Sequence, residues 1–171
     1  FDDCPKLETL LLSNNQISSD LFTFQGTTAL QIIDMSHNLI KGGAPDSWAG
    51  LVEVTSLKAS NNDITGFGGA NDPMISMKNL AVLDFSHNSL TNMSSFNPVH
   101  IVFHEWLRRF AGPKMYYLDL SYNQLSFADS AIFPQVFGSG VLFDNFPEIT
   151  WIDMSHNMLA GFADMNKLYY R

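Results

Sequence analysis

The chain has 171 residues, of which 46% are hydrophobic and 15% charged: enough apolar material for one substantial core, and too little charge for a disordered segment. A formal net charge of -8 with only nine Lys and Arg opposes phosphate recognition and excludes nucleic acid as the expected partner. No apolar run approaches the roughly 20 residues that cross a bilayer, so no membrane-spanning segment is expected within these residues.

The first residues, Phe1 to Lys6, lack the basic and apolar regions of a signal peptide and read as the tail of a preceding repeat. Cys4 has no partner cysteine in the chain, which excludes an intrachain disulfide framework; it is expected to be a small buried hydrophobe. From Leu7 onward one pattern recurs six times: LETLLLSNNQI (Leu7 to Ile17), LQIIDMSHNLI (Leu30 to Ile40), VTSLKASNNDI (Val54 to Ile64), LAVLDFSHNSL (Leu80 to Leu90), MYYLDLSYNQL (Met115 to Leu125) and ITWIDMSHNML (Ile149 to Leu159). Asn15, Asn38, Asn62, Asn88, Asn123 and Asn157 form one column, and Ser13, Ser36, Ser60, Ser86, Ser121 and Ser155 stand two residues before them. The alternation within each segment predicts a short strand with one face toward the core. An Asn just after each strand suits a turn inward, where its amide satisfies backbone groups of neighbouring coils.

These segments resemble the leucine-rich-repeat family, whose motif is L-x-x-L-x-L-x-x-N-x-L, over nearly the whole chain. The uneven, insertion-bearing repeats look similar to irregular secreted or cell-surface proteins of bacteria in that family. The resemblance implies an α/β solenoid: a curved right-handed coil with short parallel strands on the concave face, and loops and short helices on the convex face. Residues 1–171 then form a single domain of about six repeats, expected to be a fragment of a longer protein.

The Asn columns are 23, 24 and 26 residues apart over the first three intervals and 35 and 34 over the last two, so insertions are expected near 92–114 and 129–147. In the first, Val99, Val102, Phe103, Trp106, Leu107 and Phe110 recur at helical spacing and predict an amphipathic helix on the convex side. The second mixes Phe133, Phe137, Phe143 and Phe146 with Pro134, Gly138, Gly140 and Pro147, which predicts a loop with at most one helical turn. Asn92-Met93-Ser94 fits a glycosylation sequon, a short pattern that carries little weight alone.

The sequence contains no glycine-rich phosphate loop, nucleophile elbow or paired-cysteine metal motif, so no enzyme, catalytic residue or cofactor is expected. His100 and His104 share a helix spacing without an evident third ligand, and His37, His87 and His156 recur just before the Asn column as polar corner residues; no metal is expected at either. Two columns of the strands point away from the core. One reads Leu11, Asp34, Lys58, Asp84, Asp119 and Asp153; the other reads Thr9, Ile32, Ser56, Val82, Tyr117 and Trp151, with Tyr170 as a possible extension. Carboxylates stacked roughly 4.8 Å apart repel one another unless solvent, a lysine or a cationic partner relieves them. Aromatic rings beside them have the composition of a recognition patch, unless an insertion folds over and buries them.

The candidate ligand-binding residues on the concave face are therefore Tyr117, Asp119, Tyr122, Trp151, Asp153 and Asp84. The function expected is a non-catalytic protein-interaction module of a secreted or cell-surface protein. Two alternatives stay open at this point: a carbohydrate-binding surface component, with Tyr117 and Trp151 stacking on sugar, and an architectural segment of a larger surface assembly.

Overall fold

The computed structural model describes residues 1, 3–18, 24, 26–43, 48, 50–66, 76–91, 112–125 and 146–158. Within them, each repeat places a three-residue strand at the same point of its pattern: β1 (Thr9–Leu11), β2 (Ile32–Asp34), β4 (Ser56–Lys58), β6 (Val82–Asp84), β7 (Tyr117–Asp119) and β8 (Trp151–Asp153). They form one parallel sheet in the order β1-β2-β4-β6-β7-β8. Register holds across all five pairings, so Thr9, Ile32, Ser56, Val82, Tyr117 and Trp151 lie in one row and Leu11, Asp34, Lys58, Asp84, Asp119 and Asp153 in another.

The residue between these rows turns inward, because adjacent side chains on a strand point to opposite faces. Leu10, Ile33, Leu57, Leu83 and Leu118 are buried, and Ile152 packs partly buried against the same core. Leu30, Val54, Leu80 and Met115, at the start of each pattern, are fully buried beside them. Phe24, Trp48, Met77 and Phe146 close the core from the return segments. Residues 112–114 belong to the first expected insertion and Phe146 and Pro147 to the second; the other residues of both insertions, with the expected helix over 99–110, the histidines at 100 and 104 and the sequon at Asn92, lie outside the described residues, as does Tyr170.

One side chain per coil stitches the stack together. The Asn88 amide nitrogen donates to the carbonyls of Phe85 and Ser86 in its own coil and of Ala59 in the preceding one, at 3.0 to 3.1 Å. Its oxygen accepts the Ile64 backbone N–H at 3.0 Å. Asn38, Asn62, Asn123 and Asn157 repeat the arrangement, accepting from Ile17, Ile40, Leu90 and Leu125 and donating back to Leu12, Met35, Phe85 and Leu120. The amide thus supplies partners to backbone groups that sheet pairing leaves over. The Asn15 side chain, in the first described coil, donates to Leu12 and Ser13 of its own coil, and its backbone N–H donates to the His37 carbonyl of the next.

The residue before each of these asparagines is left-handed: Asn14, His37, Asn61, His87, Tyr122 and His156 have φ between 52° and 59°. This reversal ends the strand and aims the following Asn inward. Asn and His are among the residues that enter that region most readily, which accounts for five of the six positions; Tyr122 is the exception.

A second ladder, which the sequence did not suggest, runs beside the Asn row. β3 (Lys41–Gly43) pairs in parallel with β5 (Asp63–Gly66), and Ser18 bridges Leu39. Backbone bonds continue it across later coils, from Ser89 to Ile64, Gln124 to Leu90 and Met158 to Leu125.

Cys4 corrects an expectation. It is exposed, not buried, because it sits in the turn ahead of β1, on the outer flank of the first described coil.

Candidate functional site

On the outer face of the sheet, the side chains of β6, β7 and β8 bring together the six residues singled out above. Asp84, Asp119 and Asp153 occupy adjacent register positions, Tyr117 and Trp151 occupy adjacent positions two residues earlier, and Tyr122 follows Asp119 by three residues at the left-handed corner. The asparagine column lies separately, at the turn behind this face.

Half of each aspartate has a structural task. One oxygen accepts the backbone N–H of the Ser two residues on: Asp34 from Ser36 at 3.0 Å, Asp84 from Ser86 at 3.0 Å, Asp119 from Ser121 at 2.9 Å and Asp153 from Ser155 at 2.8 Å. The Ser86 hydroxyl also donates to Asp84 at 2.7 Å. This local side-chain turn explains why Asp and Ser recur together at the end of the strand. Donation by the Ser155 hydroxyl and backbone N–H holds the Asp153 carboxyl below its ordinary value, against the opposing effect of burial.

The second oxygens remain to shape the surface. The Tyr117 hydroxyl donates to the other oxygen of Asp119 at 3.4 Å. Burial first, then the negative charges of Asp119 and Asp84, push this phenol up to about 12. Lys58 is in register beside Asp84, and no Lys or Arg stands in the row beside Asp119 or Asp153 among the described strands. Three carboxylates therefore stand in sequence with a cation at one end.

The rings are ordered. Tyr117 and Trp151 stack with centroids 4.2 Å apart and planes 4° from parallel. At the corner, Tyr122 is sandwiched between His87 at 4.1 Å and His156 at 4.0 Å, with planes within 12°. Trp151 is 39% exposed and Tyr122 46%, so these rings face solvent and are not closed over. The carboxylates, half-buried, run between two lines of stacked rings.

His87 and His156 are the members that sequence reading passed over as ordinary corner residues. The signal was the succession His87, Tyr122, His156: a flat side chain at one position in three consecutive coils, which parallel in-register strands bring face to face. His37 does not join them, because Asn61 occupies the intervening coil. Among the described residues no group of three or more His, Cys, Asp and Glu is placed to hold a metal ion, and no helix among them is long and apolar enough to cross a membrane.

Comparison with known proteins gives concordant results. The family model described as leucine rich repeat matches residues 5–64. Receptor like protein 22 of Arabidopsis thaliana is 37% identical over 112 residues, 64% of this chain and 14% of that protein. Receptor like protein 26 of the same plant is 31% identical over 90 residues, 52% of this chain and 11% of that protein. The chain therefore spans only a small part of the length of these relatives. Among solved structures, a TDR receptor superposes with a TM-score of 0.62 at 18% identity, covering 91% of this chain and 23% of that one. Internalin C2 from Listeria monocytogenes gives 0.58 at 20%, covering 86% and 51%. The plant peptide hormone receptor RGFR1, solved in complex with RGF2, gives 0.54 at 23%, covering 90% and 25%. At these identities the structural likeness establishes the fold, and it extends to plant and bacterial proteins alike.

Proposed function

We propose that this α/β solenoid of leucine-rich repeats is a non-catalytic protein-interaction module of a secreted or cell-surface protein. The observation that carries the proposal is the outer sheet face of β6 to β8, where Trp151 and Tyr122 lie open to solvent and ordered by stacking. Rigid, exposed aromatic groups bury large area on binding at little entropic cost, and they are enriched at the centres of protein interfaces. Curated relatives named as receptor-like proteins, and a structural neighbour solved with a peptide hormone, support the reading. Residues 1–171 act in it as one array of about six repeats within a longer protein.

The stack weighs against a sugar site. Tyr117 and Trp151 turn one face toward each other at 4.2 Å, so each ring has one face fewer to lay on a pyranose ring. An interface that grips rims and hydroxyls remains available to a polypeptide.

The test is a paired binding screen, of extracellular proteins and of glycans, against the native chain and a Tyr117→Ala, Trp151→Ala double variant whose circular dichroism shows it folded. A protein ligand bound by the native chain and lost in the variant supports the proposal. A protein ligand held equally by both would move recognition off this face, and saturable glycan binding lost in the variant would replace the reading with the carbohydrate one.

A further inference from the structure

The occupant of this face has a chemistry that the face itself specifies. β6, β7 and β8 present an uninterrupted row of three carboxylates at the strand repeat, roughly 4.8 Å. Each has one oxygen fixed by a serine N–H, which holds the group in place before any ligand arrives. On one side stand the rings of Tyr117 and Trp151, on the other those of His87, Tyr122 and His156. The stacking directs ring faces along the row, so the surface offers a strip of negative charge between two borders of flat, stacked rings.

Charge complementarity calls for a cation. The borders call for a flat one that can lie beside stacked rings. Successive carboxylates call for one whose donors fan out in a plane, able to reach two acceptors from a single position. A guanidinium meets all three demands: its five N–H donors form a rigid fork, it is weakly hydrated, and it remains charged throughout the physiological range. An ammonium is a compact, strongly hydrated point charge that concentrates on one carboxylate at a time.

We infer that the face of β6 to β8 docks an extended polypeptide segment that presents arginine side chains to Asp84, Asp119 and Asp153, each guanidinium bridging two neighbouring carboxylates between the ring stacks. Two such bridging positions exist, between Asp84 and Asp119 and between Asp119 and Asp153. Side chains two residues apart on an extended strand point the same way at a spacing of about 6.8 Å, within reach of both. The inference rests on the interaction reading proposed above and narrows it to one class of partner.

The raised phenol of Tyr117 is in keeping with this: burial contributes most to it, and the negative charges of Asp119, Asp84 and Asp153 add to it. At the other end of the sheet, Leu11 and Ile32 are exposed and Lys58 breaks the acidic row, so the guanidinium-binding character is confined to the last three strands.

The experiment measures binding of three labelled peptides, Arg-Gly-Arg-Gly-Arg and its lysine and citrulline counterparts, to the native chain by fluorescence anisotropy at low salt. Citrulline keeps the shape and removes the charge; lysine keeps the charge and removes the fork. The arginine peptide is expected to bind about tenfold more tightly than the citrulline peptide, with the lysine peptide between them. Asp119→Asn combined with Asp153→Asn keeps the oxygens that accept from Ser121 and Ser155, and is expected to weaken the arginine peptide about tenfold. Asp34→Asn, on β2, is expected to leave it unchanged. Equal affinity for arginine and citrulline, or an Asp34→Asn loss as large as that of the double variant, overturns the inference. If the arginine peptide fails while an extracellular protein still binds in a Tyr117- and Trp151-dependent way, the guanidinium class is wrong and the interaction face stands. If both fail, the interaction reading falls with it.

Discussion

Asn88 shows how much of this fold rests on single side chains: one buried amide satisfies three carbonyls and one N–H drawn from two coils. Replacing it with alanine strands buried backbone groups, each of which costs roughly 1–3 kcal/mol when left without a partner. Asn88→Ala is expected to lower the stability of the chain by about 3 kcal/mol or more in urea unfolding, and Asn15→Ala, whose exposed side chain donates to Leu12 and Ser13 of its own coil, by far less. Tyr117 gives a residue-scale signature of a different kind. Its phenol lies at about 12 when folded and at the ordinary 10.0 in an open chain, so the unfolded state releases the proton first. The contribution to stability is therefore whole below pH 10 and declines as the pH rises toward 12. Asp153 has the opposite sign: its folded carboxyl is lowered from 3.8, so the stability it adds is present above that value and is lost as the pH falls through the folded one. Asp119→Asn removes the leading charge effect on Tyr117 but not the burial. An ultraviolet titration of tyrosinate is expected to show Tyr117 titrating late in the native chain, moved part of the way back toward 10 in the variant.

At the scale of the element, each strand contributes a single inward residue between two outward ones, so that residue carries the packing of its strand. Leu83 on β6 is fully buried between β4 and β7, whereas Leu10 on β1 has a strand on one side only and retains 8% exposure. Leu83→Ala is expected to cost about 2–5 kcal/mol in chemical unfolding, and Leu10→Ala less, because the open flank can relax into the space left behind. Strands of this kind were readable from sequence because they repeat: six copies of one apolar spacing fix where each begins, which side is inward and which Asn follows. The β3–β5 ladder was not readable. Lys41, Gly42 and Gly43 have neither strand-forming side chains nor alternation, and they pair because the main sheet and the Asn row have already brought the coils to hydrogen-bonding distance. The left-handed corner was hidden for a related reason: Asn, His and Tyr share no hydropathy, and what unites them is a backbone angle. The acidic and aromatic rows of the site could be listed from sequence, but the parallel stacking that orders the rings, and the serine bonds that occupy half of each carboxylate, required coordinates.

At the scale of the whole molecule, each described strand of the main sheet pairs with the strands of neighbouring coils, so stability is carried from one to the next like a chain of coupled units. Amide hydrogen exchange is expected to be slowest in β4 and β6, which have strands on both sides and fully buried inward residues, and faster in β1 and β8, whose inward Leu10 and Ile152 are less completely covered. Uniform protection across the six strands would show instead that the array opens as one unit. The intervals of 35 and 34 residues between the last three asparagines bear on how such a molecule can change over generations. Although those coils carry about ten more residues than the earlier ones, Val82 still pairs with Tyr117 and Tyr117 with Trp151, without a slip. The extra length leaves the register of these strands unchanged, and the outward rows stay in phase. Loop length and surface chemistry are thus separate variables: one can drift, lengthen or be exchanged while the other holds its alignment, which leaves a lineage free to try new borders around an unchanged row of contacts.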